Sequence, residues 1–129
     1  MLNGMCLCGA TRYQVADEFE YAMNCHCSKC RRATGSAFKP MGGIASSKIS
    51  ITAQAAGLLT FGGETARDIH CGACGSLIFS VVREGKYAHV TYGTLLDAPS
   101  KRPDHHIHVA SKAPWYEITD KLPQHSGFP

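Results

Sequence analysis

Seven cysteines gathered into three short clusters limit what this chain can fold into more than any other feature of its sequence. They stand as Cys6-Leu7-Cys8, then Cys25-His26-Cys27-Ser28-Lys29-Cys30, then Cys71-Gly72-Ala73-Cys74, with none left over. An odd number cannot all pair as intramolecular disulfides. A solitary cysteine is often just a small buried apolar residue, but seven confined to tight clusters have the spacing of thiolate metal ligands. In a reducing compartment such a set binds metal or catalyses rather than forming a disulfide framework.

The rest of the composition narrows the class without naming a function. A chain of 129 residues with 44% hydrophobic content is expected to form one domain, residues 1–129, with a modest core diluted by 13 glycines and 6 prolines. No window approaches the roughly 20 apolar residues of a membrane span, so no membrane partner is expected. The start, MLNGMCLCGATRY, lacks the basic and apolar regions of a signal peptide, which makes a cytoplasmic location the expectation. The net charge of +3 is mild and the basic residues are scattered apart from Lys29, Arg31 and Arg32, which argues against a nucleic-acid partner. Oligomeric state is not legible.

Ligand counting divides the cysteines. The CxxC pair Cys71 and Cys74, with Gly72 and Gly75 for a tight turn, supplies two thiolates. A thioredoxin-like redox role would need a βαβ context, whereas two β-rich runs follow here, joined by a Glu84-Gly85-Lys86 turn. A structural Zn2+ takes four ligands. Cys6 and Cys8 can provide the other two from an extended segment, with Gly9 relaxing the bend. Cys25, Cys27 and Cys30 remain, and three protein ligands with an open fourth position are the usual composition of a catalytic zinc site. Sequence leaves the grouping open, and His70, His105, His106 or His108 remain alternatives for closing the second site. His26, between two ligands on a strand, is expected to point away.

Around the clusters the pattern is mainly β. Alternation at Thr11, Tyr13 and Val15 predicts one strand, and Lys48 to Ala53 another. SKCRRATG predicts a short helix capped by Ser28 and stopped by Gly35, from which Lys29, Arg31 and Arg32 fan out near the three-cysteine cluster. From Leu95 onward an ordered, mostly extended tail is predicted, anchored by Trp115, Tyr116, Ile118 and Leu122.

Taken together, Gly4, Cys6, Cys8, Gly9 and Tyr13, then CHCSKCRRATGSAF, then CGACGS, then HIHVASKAPWYEITDKLP resemble the glutathione-dependent formaldehyde-activating family, or CENP-V/GFA domain. The resemblance implies a mainly β, Mss4-like (β-tent) fold of small antiparallel sheets around a structural zinc, with one short helix. It assigns Cys6, Cys8, Cys71 and Cys74 to that zinc and Cys25, Cys27 and Cys30 to a second, catalytic one, two per chain. It implies carbon–sulfur lyase chemistry of the S-(hydroxymethyl)glutathione synthase type, with glutathione or a similar thiol as partner. In that reading Lys29, Arg31 or Arg32 hold the thiol's carboxylates, and His26 or His106 moves the proton. Against it stands a non-catalytic zinc-binding interaction module of the same fold. A methionine sulfoxide reductase would need a cysteine outside the clusters, and none is spare.

Overall fold

The computed structural model describes residues 1–129. In chain order the elements are β1 (Leu2–Met5), β2 (Thr11–Val15), β3 (Tyr21–Cys25), α1 (Ser28–Thr34), β4 (Lys39–Ala45), β5 (Ile49–Gln54), β6 (Leu58–Gly62), β7 (Arg67–Cys71), β8 (Leu77–Val82), β9 (Tyr87–Thr91) and β10 (His106–Ile107). The architecture is mainly β and almost wholly antiparallel, with α1 the only α-helix. No helix is long and apolar enough to cross a membrane.

Side-chain alternation builds the smaller sheet, ordered β1-β2-β5. Along β2, Thr11, Tyr13 and Val15 are buried while Arg12 is exposed, and β5 alternates half-buried and exposed positions throughout. Both strands follow the predicted two-residue period. The larger sheet runs β10-β3-β4-β9-β8-β7-β6, and its strands were less visible in sequence. Strand β4 reads KPMGGIA, poor in intrinsic β propensity. It is held inside the sheet, between β3 and β9, where its bare glycines let aromatic rings cross it: a Cβ on Gly43 would lie 2.1 Å from Tyr21 Cζ, and one on Gly42 2.6 Å from both Phe19 and Tyr92.

Two core clusters follow from this layout. The larger holds Leu2, Tyr13, Val15, Phe19, Ile44, Ile78 and Val90 together with Cys6 and Cys71. The smaller consists of Met23, Met41 and Ile107 with Cys25. Cysteines of the two groups are thus built into separate cores.

The structure corrects three local expectations. The residue at the N-cap of α1 is Cys27 rather than Ser28, because Cys27 keeps extended backbone (φ −63°, ψ 150°) and its sulfur accepts from the Cys30 N–H. Gly35 ends the helix in the left-handed conformation (φ 62°), as predicted. Cys6 and Cys8 lie in a turn after β1, not on an extended segment; the turn closes through Gly9 N–H to Cys6 O, with Gly9 at φ 83°. In the tail Trp115 is 70% exposed and anchors nothing, while Tyr116, Ile118 and Leu122 are half-buried. The tail is held instead by buried Ile107 and Ala113 and by main-chain pairing of β10, parallel to β3.

Gly43→Ala should force the Tyr21 ring off the sheet and lower unfolding free energy by about 1–3 kcal/mol, the usual cost of overpacking. Urea denaturation checks this, with Gly63→Ala, where an added Cβ meets nothing within 4 Å, as the control.

Candidate metal centres

The first group forms where two turns meet. Cys6 and Cys8 come from the turn between β1 and β2, and Cys71 and Cys74 from the turn joining β7 to β8, so the CxxC pair lies at the head of a hairpin. Cys6 Sγ lies 3.7 Å from Cys8 Sγ, and Cys8 Sγ 3.8 Å from Cys71 Sγ across 63 residues of chain. Four sulfurs at metal–sulfur bonds of about 2.3 Å in a tetrahedron would be about 3.8 Å apart. Those two separations match that spacing, all four sulfurs lie within 4.8 Å of one another, and all seven thiols are free of disulfides.

Hydrogen bonds around these sulfurs favour the thiolate form that a metal requires. Thr11 N–H donates to Cys6 Sγ at 3.3 Å and Ala73 N–H to Cys71 Sγ at 3.4 Å. Ser76 Oγ lies 3.1 Å from Cys74 Sγ and itself accepts from Leu7 N–H, tying one cysteine turn to the other. The Cys74 thiol is pushed down to about 5, first by the Ser76 hydroxyl and then by backbone N–H groups. Cys71 is lowered to about 7, chiefly by the backbone N–H of Cys74. Cys8 moves the other way, to about 11, so protons crowd onto part of the set. An ion would displace them.

The second group spans one strand end and one helix start. Cys25 is the last residue of β3, Cys27 caps α1, and Cys30 lies in its first turn. Their sulfurs lie within 4.8 Å of one another, as do those of the first group, and no histidine joins either set. His70, His105, His106 and His108 are therefore not brought to the trio. Cys25 is lowered, first by its hydrogen bond with Cys30, while Cys30 is pushed well up by the same bond. Two of the three, Cys27 and Cys30, face a cavity of about 240 Å³.

That cavity contains residues that motif reading missed. Lys39 and Met41 of β4, Asp68 of β7, Ser80 and Val82 of β8 and His89 of β9 line it together with Lys29, Ala33 and Leu77. Lys39 Nζ donates to Ser80 Oγ at 3.2 Å, and Ser80 Oγ donates to Asp68 Oδ1 at 2.5 Å. His89 Nε2 lies 2.7 Å from Tyr21 Oη, and burial pushes its imidazole down to about 4, so it is neutral near pH 7. Ser80 and His89 were the only sequence signals here, as polar residues inside the apolar runs LIFSVV and YAHVT.

The other predicted residues are distributed unevenly. Of the basic trio only Lys29 lines the cavity; Arg32 is exposed and Arg31 is half-buried with an unpartnered Nε. His26 is fully buried and points away from the trio into a hydrogen-bonded string. Asp120 accepts from His106 Nε2 at 3.0 Å, which leaves His106 Nδ1 to accept from His26 Nε2 at 2.8 Å. Burial, followed by the neighbouring His106, lowers His26 to about 4. The string pins the Cys25–Cys27 loop to the tail and does not line the cavity.

Residues 1–111 match the family model described as glutathione-dependent formaldehyde-activating enzyme. A curated Halomonas elongata protein with the provisional name of glutathione-dependent formaldehyde-activating enzyme is 26% identical over 140 aligned positions, covering 94% of this chain and 83% of that one. A crystal structure of a Rhodobacter sphaeroides protein superposes with a TM-score of 0.60 at 27% identity, over 76% of this chain and 91% of that one.

Because the first group joins distant turns and the second joins neighbours, the two should respond differently to loss of a ligand. Cys27→Ser is expected to lower bound metal by about one equivalent with the circular dichroism spectrum retained, whereas Cys71→Ser should unfold or aggregate the protein. Equal global unfolding of both variants would remove the distinction.

Proposed function

Since this chain belongs to the family of glutathione-dependent formaldehyde-activating enzymes, we propose that it is a cytoplasmic, single-domain zinc enzyme joining glutathione or a similar thiol to formaldehyde or a related small aldehyde. The reaction is that of a carbon–sulfur lyase run toward synthesis. Cys6, Cys8, Cys71 and Cys74 would hold a structural zinc, and Cys25, Cys27 and Cys30 a second. The observation that carries this reading is that a three-thiol group, one ligand short of a tetrahedron, presents Cys27 and Cys30 to a cavity. Zinc held by three thiolates supplies a position for a fourth thiol and lowers that thiol's pKa.

The chain's own residues do the rest. Lys29, at the cavity rim, holds a carboxylate of the thiol substrate, and exposed Arg32, three residues on and so on the same side of α1, extends the positive surface for a longer one; Arg31 lies on another side of the helix. Met41, Leu77 and Val82 give the cavity apolar walls that limit water around the aldehyde carbon. The string Asp120–His106–His26 holds the loop carrying Cys25 and Cys27 in place. Attack of the substrate sulfur forms the carbon–sulfur bond and sends the carbonyl electron pair to oxygen. That oxygen takes up one proton, matching the one released by the thiol, so thiol and aldehyde combine without a further reactant.

Zinc content and formaldehyde consumption, each measured with and without glutathione, test the proposal. About two zinc ions per chain and thiol-dependent consumption faster than that of thiol and formaldehyde alone are expected. One zinc and no response to any thiol would favour the non-catalytic interaction module.

A further inference from the structure

Lys39 is a cation in an unusual place. It is only 3% exposed, it forms no ion pair, and its one hydrogen bond goes to a neutral hydroxyl, Ser80 Oγ at 3.2 Å. An ammonium has three N–H donors, so two remain without a protein acceptor. Taking such a charge out of water is costly unless something negative meets it. No carboxylate touches it directly, and Asp68 is reached only through Ser80. Asp68 and Ser80 are direct partners across the β7–β8 ladder, and Asp68 Oδ1 accepts the Ser80 proton at 2.5 Å. The serine lone pair is thereby left for Nζ. Lys39 is also the direct partner of Cys25 across the β3–β4 ladder, so the two side chains rise from the same face of the sheet. It lines the cavity that Cys27 and Cys30 enter.

We propose that Lys39, tethered by Ser80 and Asp68, is the oxyanion-binding residue of this cavity: it receives the negative oxygen that develops when a thiol adds to a carbonyl beside the three-cysteine group. The assignment rests on the thiol–aldehyde reading above and adds the group that stabilises charge in it. As the carbon–sulfur bond forms and the carbonyl π pair moves onto oxygen, a free Lys39 N–H donates a charge-assisted hydrogen bond to that oxygen. A proton from water then completes the hydroxyl, balancing the proton lost by the thiol. A preorganised donor in a site with little water contributes most where charge appears only in the transition state. The competing explanation is that Lys39 merely offsets the charge of the thiolates, in which case its loss would cost metal.

Lys39→Met and the more polar Lys39→Gln, compared with the zinc-loaded wild type, separate these. Three quantities are read: zinc per chain, thiol-dependent formaldehyde consumption, and calorimetric affinity for mercaptoacetate against 2-mercaptoethanol. Mercaptoacetate places a carboxylate near the position of the alkoxide; mercaptoethanol is its neutral counterpart. The expected result is full zinc content, turnover reduced about 100- to 1,000-fold, and mercaptoacetate binding weakened about tenfold with mercaptoethanol unchanged. Loss of zinc in both variants, or unchanged turnover with an unchanged mercaptoacetate preference, would overturn the proposal. If the wild type consumes no formaldehyde yet its preference for mercaptoacetate vanishes in the variants, Lys39 stands as an anion site and the aldehyde reading falls.

Discussion

The meeting of four sulfurs from two remote turns is the contact on which the rest of this structure depends. Cys8 and Cys71 are separated by 63 residues, yet their sulfurs lie 3.8 Å apart. Crowded thiols do not stay together on their own account, since each gains little from its neighbours and they compete for protons. What makes the arrangement tenable is that backbone N–H groups and the Ser76 hydroxyl already point at the sulfurs, in the pattern that favours thiolates and hence a bound cation. Cys6 and Cys71 are also members of the larger core, so the same residues serve packing and ligation. For a chain of 129 residues with 13 glycines, a metal at that junction would add its binding free energy directly to the folded state.

From that junction the large sheet extends as a floor beneath the second group. The turn from β3 into α1 lifts Cys27 and Cys30 above it, while neighbouring strands bring Lys39, Asp68, Ser80 and His89 into the same cavity. The glycine pair of β4 matters here. Bare backbone at Gly43 lets Tyr21 lie across the strand, where its hydroxyl reaches His89, while Tyr92 crosses Gly42. A sequence that looks unsuited to a strand is thus the one that admits the aromatic layer beside the site.

What could be read in advance was what depends on neighbours in sequence. The three clusters, the two-residue alternation of β2, the Gly35 helix stop and the special conformation at Gly9 all follow from spacings of a few residues. Misreadings arose where a local rule met a stronger demand. Ser28 is a good capping residue, but Cys27 takes the cap because the bend that brings three sulfurs together puts its side chain over the Cys30 N–H. Trp115 has the largest apolar surface in the tail, yet β10 pairing with β3 fixes the tail's path and leaves the ring outside. Strands β6 and β7 carry mixed patterns because one edge of the large sheet is largely open to solvent.

Sequence by itself determined the chemistry available: seven thiols in three tight clusters, and the motifs that mark the family, because ligand spacing and short motifs are properties of the chain; the fold brought those clusters into a group of four and a group of three. The tertiary structure decided which groups face the open side of the three-cysteine cluster. Lys39 stands nine residues beyond Cys30, and its partner Ser80, with the Asp68 that Ser80 bonds, comes from strands far along the chain. Only strand order and register set them side by side. Those depend on long-range burial, not on the identity of adjacent residues, and so no motif announced them.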